Sequence, residues 1–152
     1  MQILNFPYHE IKQKNENGKA YIYAHIRKKY VVSTPEEWVR QHLIHFLIEE
    51  RNFPKTLIAI ETSLRVNGLK KRTDLLVFDK KTRKVCLIAE CKAPNIKISQ
   101  AVFEQIARYN ISLQTNFLIV TNGLKHYCCQ INLKEKTYHF LNDIPFYEDV
   151  IK

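Results

Sequence analysis

The stretch that decides the fold reads Asp74-Leu75-Leu76-Val77-Phe78, then Asp79-Lys80-Lys81-Thr82-Arg83-Lys84, then Val85-Cys86-Leu87-Ile88-Ala89-Glu90-Cys91-Lys92. Two short aliphatic runs of this kind read as buried strands, and the polar segment between them reads as the loop of an antiparallel hairpin. Pairing Phe78 with Cys86 sets Asp74 directly opposite Glu90. Residues so opposed share a face of the sheet, with Cβ atoms about 4.5–5.5 Å apart, and alternation brings Lys92 to that same face. A slip of one residue would separate them.

Two carboxylates at that spacing repel unless a cation or a proton lies between them. Magnesium takes oxygen ligands and is usually held by one or two carboxylates together with phosphate. Asp74 and Glu90, with the Cys91 carbonyl as a third ligand, would suit Mg²⁺, with Mn²⁺ as a substitute. Such a cation polarises a phosphodiester and acidifies an attacking water. Lys92 would orient that water or neutralise charge in the transition state. The competing reading is a strand-end ion pair, in which Lys92 offsets Glu90 and Asp74 caps a loop. Glu-x-Lys alone favours that reading, whereas Asp74 at hairpin distance favours the metal.

Asp74, fifteen intervening residues and Glu90-Cys91-Lys92 resemble the PD-(D/E)xK nuclease motif. Together with Thr34-Pro35-Glu36-Glu37-Trp38-Val39-Arg40-Gln41, Glu61, Gln105 and Tyr109, they make the stretch from about Ile26 to Cys129 resemble the N-terminal nuclease domain of type I restriction enzyme R subunits. The resemblance implies an α/β fold of restriction-endonuclease type. Its mixed central sheet would have about four to five strands flanked by helices, with extra N- and C-terminal hairpins. It implies metal-dependent hydrolysis of DNA phosphodiester bonds, with Gln105 reaching phosphate or the attacking water and Tyr109 beside it. It also makes Glu37 a further metal ligand, directly or through water. Thr73 stands where the motif's name has proline, and no helicase motor is read in the sequence, so a nuclease domain alone is expected. Two other readings stand beside it: a nucleic-acid-binding accessory protein without turnover, and a nuclease that works only with a motor or specificity partner.

At 152 residues the chain suits a single domain, 1–152, with a core over about 34–130. Its 24 Lys and Arg against 15 acidic residues give a formal charge of +9, which favours an anionic partner: DNA first, with RNA left open. Lys70, Lys71 and Arg72 lead into Asp74 and would hold phosphates, although a solvated turn explains them equally well. The four cysteines lack zinc-site spacing, and two of them lie in expected strands, as free thiols do in a reducing cytoplasmic setting. No long apolar span is present, so no membrane partner is expected. A homodimer is left open.

The remaining elements follow in order. Met1 to Gly18 reads as polar and irregular, with a turn at Asn15-Glu16-Asn17-Gly18. Residues 20–26 and Tyr30-Val31-Val32 suggest a hairpin across Arg27-Lys28-Lys29, whose tyrosines suit strand packing better than base stacking. Thr34 as N-cap, Pro35 and then Val39, Leu43, Phe46 and Leu47 predict a helix that stops at Asn52-Phe53-Pro54. Glu37 stands three after Thr34 and so also fits a capping box, satisfying the Thr34 N–H. His42 and His45 find no third ligand at zinc spacing and read as interface or surface residues. Residues 57–66 predict a strand in which Glu61 needs a partner, Lys71 or Arg72, before a turn at Asn67-Gly68. A helix from Ser99 to about Ser112, a buried strand at Phe117–Thr121 and a last hairpin, 126–131 with 137–141, complete the pattern. A helix leading into that buried strand makes the sheet mixed. The tail from Asn142 is expected to lie against the core as a short helix or extended segment.

Overall fold

The computed structural model describes residues 2–66, 68–111 and 113–152, with side chains at all of these except 62–66, 69 and 71. Asn67 of the expected turn, Ser112 at the expected helix end and the Lys71 side chain therefore lie outside the described residues.

The main sheet has six strands in sequence order: β4 (Ile58–Val66), β5 (Leu69–Phe78), β6 (Val85–Cys91), β7 (Phe117–Thr121), β8 (His126–Asn132) and β9 (Thr137–Phe140). Neighbours run antiparallel except β6 and β7, which are parallel because α2 (Gln100–Ile111) carries the chain across between them. The sheet exceeds the expected four to five strands because β8–β9 extends it rather than standing apart. A separate sheet, β1 (Gln13–Glu16), β2 (Lys19–Ala24) and β3 (Lys29–Val32), precedes α1 (Pro35–Arg51). The first strand corrects the reading of residues 1–18 as irregular. All four of its side chains are exposed, so it carries no apolar alternation that could announce it.

Strand alternation sorts the core onto two faces. Leu75, Val77, Leu87, Ala89 and Ile119 pack against Val39, Leu43 and Leu47 of α1 and against Ile144, Tyr147 and Ile151 of the tail, which includes α3 (Tyr147–Val150). Leu76, Ile88, Leu118 and Val120 point the other way, onto Phe103 and Ala107 of α2. Full burial of such a side chain contributes about 1.5–3 kcal/mol. This two-sided burial explains why β6 and β7 read as unbroken apolar runs.

The β5–β6 ladder pairs Leu75 with Ala89, Leu76 with Ile88 and Val77 with Leu87, but Phe78 pairs with Val85, not with Cys86. A β-bulge absorbs the difference, and the Cys86 thiol donates to the Val77 carbonyl at 3.4 Å. Its origin is the loop: Asp79 Oδ1 accepts the N–H groups of Lys81 and Thr82, and Arg83 adopts φ 65°. That compact turn returns the chain one residue out of step, and the bulge restores the register before the site is reached.

Candidate active site

Strands β5 and β6 pair as far as Leu75 and Ala89 and then part, which leaves Asp74 and Glu90 at the next rung. The Asp74 side chain bridges the parting, its Oδ2 accepting the Cys91 N–H at 2.8 Å. In an extended strand the N–H and C=O of a residue face the same side, so the Cys91 carbonyl also faces this gap. On the other flank the register passes from Ile60–Leu75 to Thr62–Thr73, which sets Glu61 across from Asp74. Glu61 breaks the ladder there with φ 48°, a left-handed conformation that costs a non-glycine residue on the order of 1–3 kcal/mol. One level of the sheet thus carries an acid on each of three adjacent strands.

Arg40 of α1 meets two of these acids, Glu61 and Asp74, from the helix side. It donates to Glu37 Oε1 at 2.6 Å and to Asp74 Oδ1 at 3.3 Å, and its guanidinium lies 3.5 Å from Glu36 and 3.6 Å from Glu61. Arg27, from the β2–β3 turn, bonds Glu61 and lies 4.0 Å from Glu37, while Arg72 pairs with Glu61 at 3.0 Å. The expected partnership of Glu61 with Arg72 is therefore present, and two further arginines join it. Burial works against the Arg40 charge, yet Glu37, Asp74, Cys91 and Glu36 together raise its pKa above the usual value. Burial and then Asp74 push the Glu36 carboxyl up, against the opposing pull of Arg40 and Lys92. Burial, followed by Asp74, lifts the Cys91 thiol well above its ordinary range.

The capping box expected at Glu37 does not close. The Glu37 N–H does donate to the Thr34 cap, with Thr34 Oγ1 at 3.0 Å, but its carboxylate does not return the bond, because the Thr34 N–H donates to the Val32 carbonyl instead. Both Glu37 oxygens are engaged within the buried cluster, Oε1 by Arg40 and Oε2 by Gln41 Nε2 at 2.9 Å. Glu37 is therefore the acid that holds Arg40 in place. The helix residue whose charge reaches both Asp74 and Lys92 is its neighbour Glu36, which sequence reasoning passed over. The signal was available: at positions 36 and 37 either acid of the first helical turn could have faced the sheet.

Glu90 and Lys92 line a cleft of about 340 Å³ with Arg72, Gln105 and Tyr109, roofed by Val102 and Ile106 of α2. Gln105 and Tyr109 share one helix face, with Ser99 Oγ capping the helix start at the Val102 N–H, 3.2 Å away. Lys70 is exposed on β5 and is not among the residues lining this cleft. Among the described residues no three His, Cys, Asp or Glu side chains form a ready-made metal cage. The donor chemistry nevertheless suits a hard cation shared with phosphate. Asp74 keeps lone pairs beyond its two bonds, Glu36 carries charge that is crowded by burial and by Asp74, and Glu90 stands beside the Cys91 carbonyl. The donors that fit are Asp74, Glu90, Glu36 and the Cys91 carbonyl. Glu37 is buried, with one oxygen bonded to Arg40 and the other to Gln41.

His42 and His45 lie elsewhere. His42 packs against Trp38 and Phe6, and His45 stacks with His9 and His25. No helix among the described residues is long and apolar enough to cross a membrane.

Comparison with known proteins agrees with this architecture. No curated protein matches the chain. The fragment structure of a putative HsdR subunit of a type I restriction enzyme from Vibrio vulnificus YJ016 superposes with a TM-score of 0.55 at 19% identity over 78% of this chain. The chain spans 24% of the length of that protein, and the likeness establishes the restriction-endonuclease-like fold. A family model described as type I restriction enzyme R protein N terminus matches residues 35–145, which take in α1, the parted strands, α2 and β9. The chain belongs to the family of type I restriction enzyme R protein N-termini.

Proposed function

We propose that this chain is a metal-dependent nuclease domain that hydrolyses DNA phosphodiester bonds. The observation that supports the reading is the rung where β5 and β6 part: the register brings Asp74 level with Glu90, and Glu90 lines one cleft with Lys92, Arg72 and Gln105. When bound, Mg²⁺ or Mn²⁺ would polarise the phosphodiester and lower the pKa of water. Asp74, Glu90, Glu36 and the Cys91 carbonyl would hold it, with Arg40 and Glu37 fixing the direction of the Asp74 carboxylate. Lys92 orients the attacking water or offsets charge building on the phosphate oxygens. Arg72 and Gln105 bind the flanking phosphate, and Tyr109 borders them on the same helix face. Lys70, exposed on β5 outside the cleft, would meet the backbone of a longer nucleic acid. These groups read phosphate rather than bases, so sequence choice would come from a partner that supplies a motor or specificity function.

A binding protein without turnover is the second reading. It is favoured by Arg40, which already supplies Asp74 with a positive counter-charge. Circular and linear DNA, incubated with the protein and Mg²⁺, Mn²⁺ or chelator, separate the two. Under the nuclease reading DNA is cut only with metal, and Asp74→Ala, Glu90→Ala and Lys92→Ala each abolish cutting while DNA binding persists. Equal cutting by wild type and the alanine variants would overturn it.

A further inference from the structure

The small sheet β1–β3 has an inner and an outer face. Ile22 and Ala24 are fully buried, and the following residue, His25, donates its N–H to Gln41 of α1, so the inner face is closed. Alternation turns Tyr21 and Tyr23 of β2 outward, where Tyr21 stands across from Lys14 and Val32, and Tyr23 across from Tyr30. The Lys12 carbonyl accepts the Tyr23 N–H at 2.8 Å, which continues the first strand along the same edge. Three rings therefore sit on one face. Tyr23 and Tyr30 meet edge to face at 5.3 Å. The Lys14 ammonium lies 4.4 Å from the Tyr30 ring centre and 5.9 Å from that of Tyr21, and Lys12 lies 6.0 Å from that of Tyr23.

Rings that serve packing alone are covered by apolar side chains. These are half-buried with lysine ammonium groups over them, and Val32 beside them is 51% exposed. A π face reachable by a lysine is reachable by a flat base, and the lysine it displaces is left at the height of a phosphate. Alternating rings and cations match a polymer of alternating bases and phosphates whose base faces are open, which a duplex does not offer. Two ends delimit the face. Glu16 pairs with Lys14 at 3.1 Å at one end. At the other, the turn joining β2 to β3 sends Arg27 into the acidic cluster at Glu61 and Glu37.

We propose that the outer face formed by Tyr21, Tyr23 and Tyr30 with Lys12 and Lys14 binds single-stranded nucleic acid, bases stacking on the rings and phosphates meeting the lysines. It requires neither cleavage nor a metal, so it stands or falls separately from the nuclease reading. The test titrates a fluorescein-labelled 15-nucleotide oligothymidine by anisotropy in chelator, with the length of the oligonucleotide checked afterwards. Tyr21→Leu and Tyr30→Leu keep bulk but remove the π face, and each should weaken binding roughly 5- to 150-fold. Tyr21→Phe and Tyr30→Phe should bind as wild type does. Lys12→Gln and Lys14→Gln, on exposed side chains that leave folding intact, should each flatten the log–log salt dependence by about 0.7. An unlabelled duplex of the same length should compete less well than the unlabelled single strand. Leucine variants that bind like wild type, salt slopes unchanged in the lysine variants, or a duplex that competes equally would each overturn the proposal.

Discussion

Replacing Arg40 by methionine tests whether one buried cation holds the acidic cluster together. The Arg40 side chain is 5% exposed and that of Glu37 8%, so methionine keeps the aliphatic length but leaves Glu37 buried without its main counter-charge. Removing one member of a buried pair costs about 3–5 kcal/mol. Gln41 still donates to Glu37 at 2.9 Å and Arg27 stands 4.0 Å away, which places the loss at the lower end, about 3 kcal/mol. For a chain of this size each kcal/mol moves Tm by about 2–4 °C, so the variant should melt roughly 6–12 °C lower in a circular-dichroism scan at neutral pH. Two further measurements separate charge from packing. Stranded carboxylates take up protons more readily in the folded state than in the unfolded chain, so the deficit should shrink as pH falls. Magnesium, binding only the folded state, should raise the Tm of Arg40→Met more than that of wild type, because the fixed cation no longer competes for Asp74. A variant that melts within a degree or two of wild type and gains no more from magnesium would refute the reasoning, since the cluster would then be hydrated and only loosely coupled.

Glu36→Gln should raise the melting temperature at neutral pH. The folded-state pKa of Glu36 lies above the ordinary value, so its penalty is present once it ionises and disappears in acid, where variant and wild type should converge; equal melting at both pH values would disprove this. His45 shows the opposite sign. Burial first, then His25, His9, His42 and Lys55, lower its pKa to about 4, so the unfolded chain takes the proton first. Stability should be full above about pH 6.5 and fall toward pH 4, less steeply in His45→Leu, as pH-dependent chemical denaturation would measure. Burial pushes the thiols of Cys86, Cys128 and Cys129 up to about 12, so none should react with a thiol reagent at pH 8 until the protein is unfolded, and labelling of native protein at unfolded rates would contradict it.

What could be read from the sequence was whatever apolar alternation encodes. The runs through Leu75–Val77 and Leu87–Ala89 fix the register by themselves, since a shift of one residue would turn Leu76 and Ile88 from α2 toward α1. That register sets Asp74 beside Glu90 even though the anticipated Phe78–Cys86 pair is absent, because the bulge lies on the loop side of the apolar block. Periodicity is silent about β1, whose exposed side chains leave pairing to the backbone. It is equally silent about Arg40. Viewed along α1, an arginine one position after Val39 looks like an outward-facing charge, yet it is 4% exposed. Its burial depends on acids from α1, β4 and β5 that come together only where the helix packs on the main sheet. The sequence did flag Glu61 as an acid in an apolar run that needed a partner. The partners it finds are three arginines from positions 27, 40 and 72, so a local anomaly became a long-range junction between the small sheet, the helix and the rung that bears Asp74. This junction also explains why Glu36 and Glu37, adjacent and chemically alike, diverge. The acid that meets Arg40 at 2.6 Å is committed to structure. The acid 3.5 Å away, its carboxyl pushed up by burial and by Asp74, keeps a side chain 46% exposed and so is the one of the pair that solvent reaches.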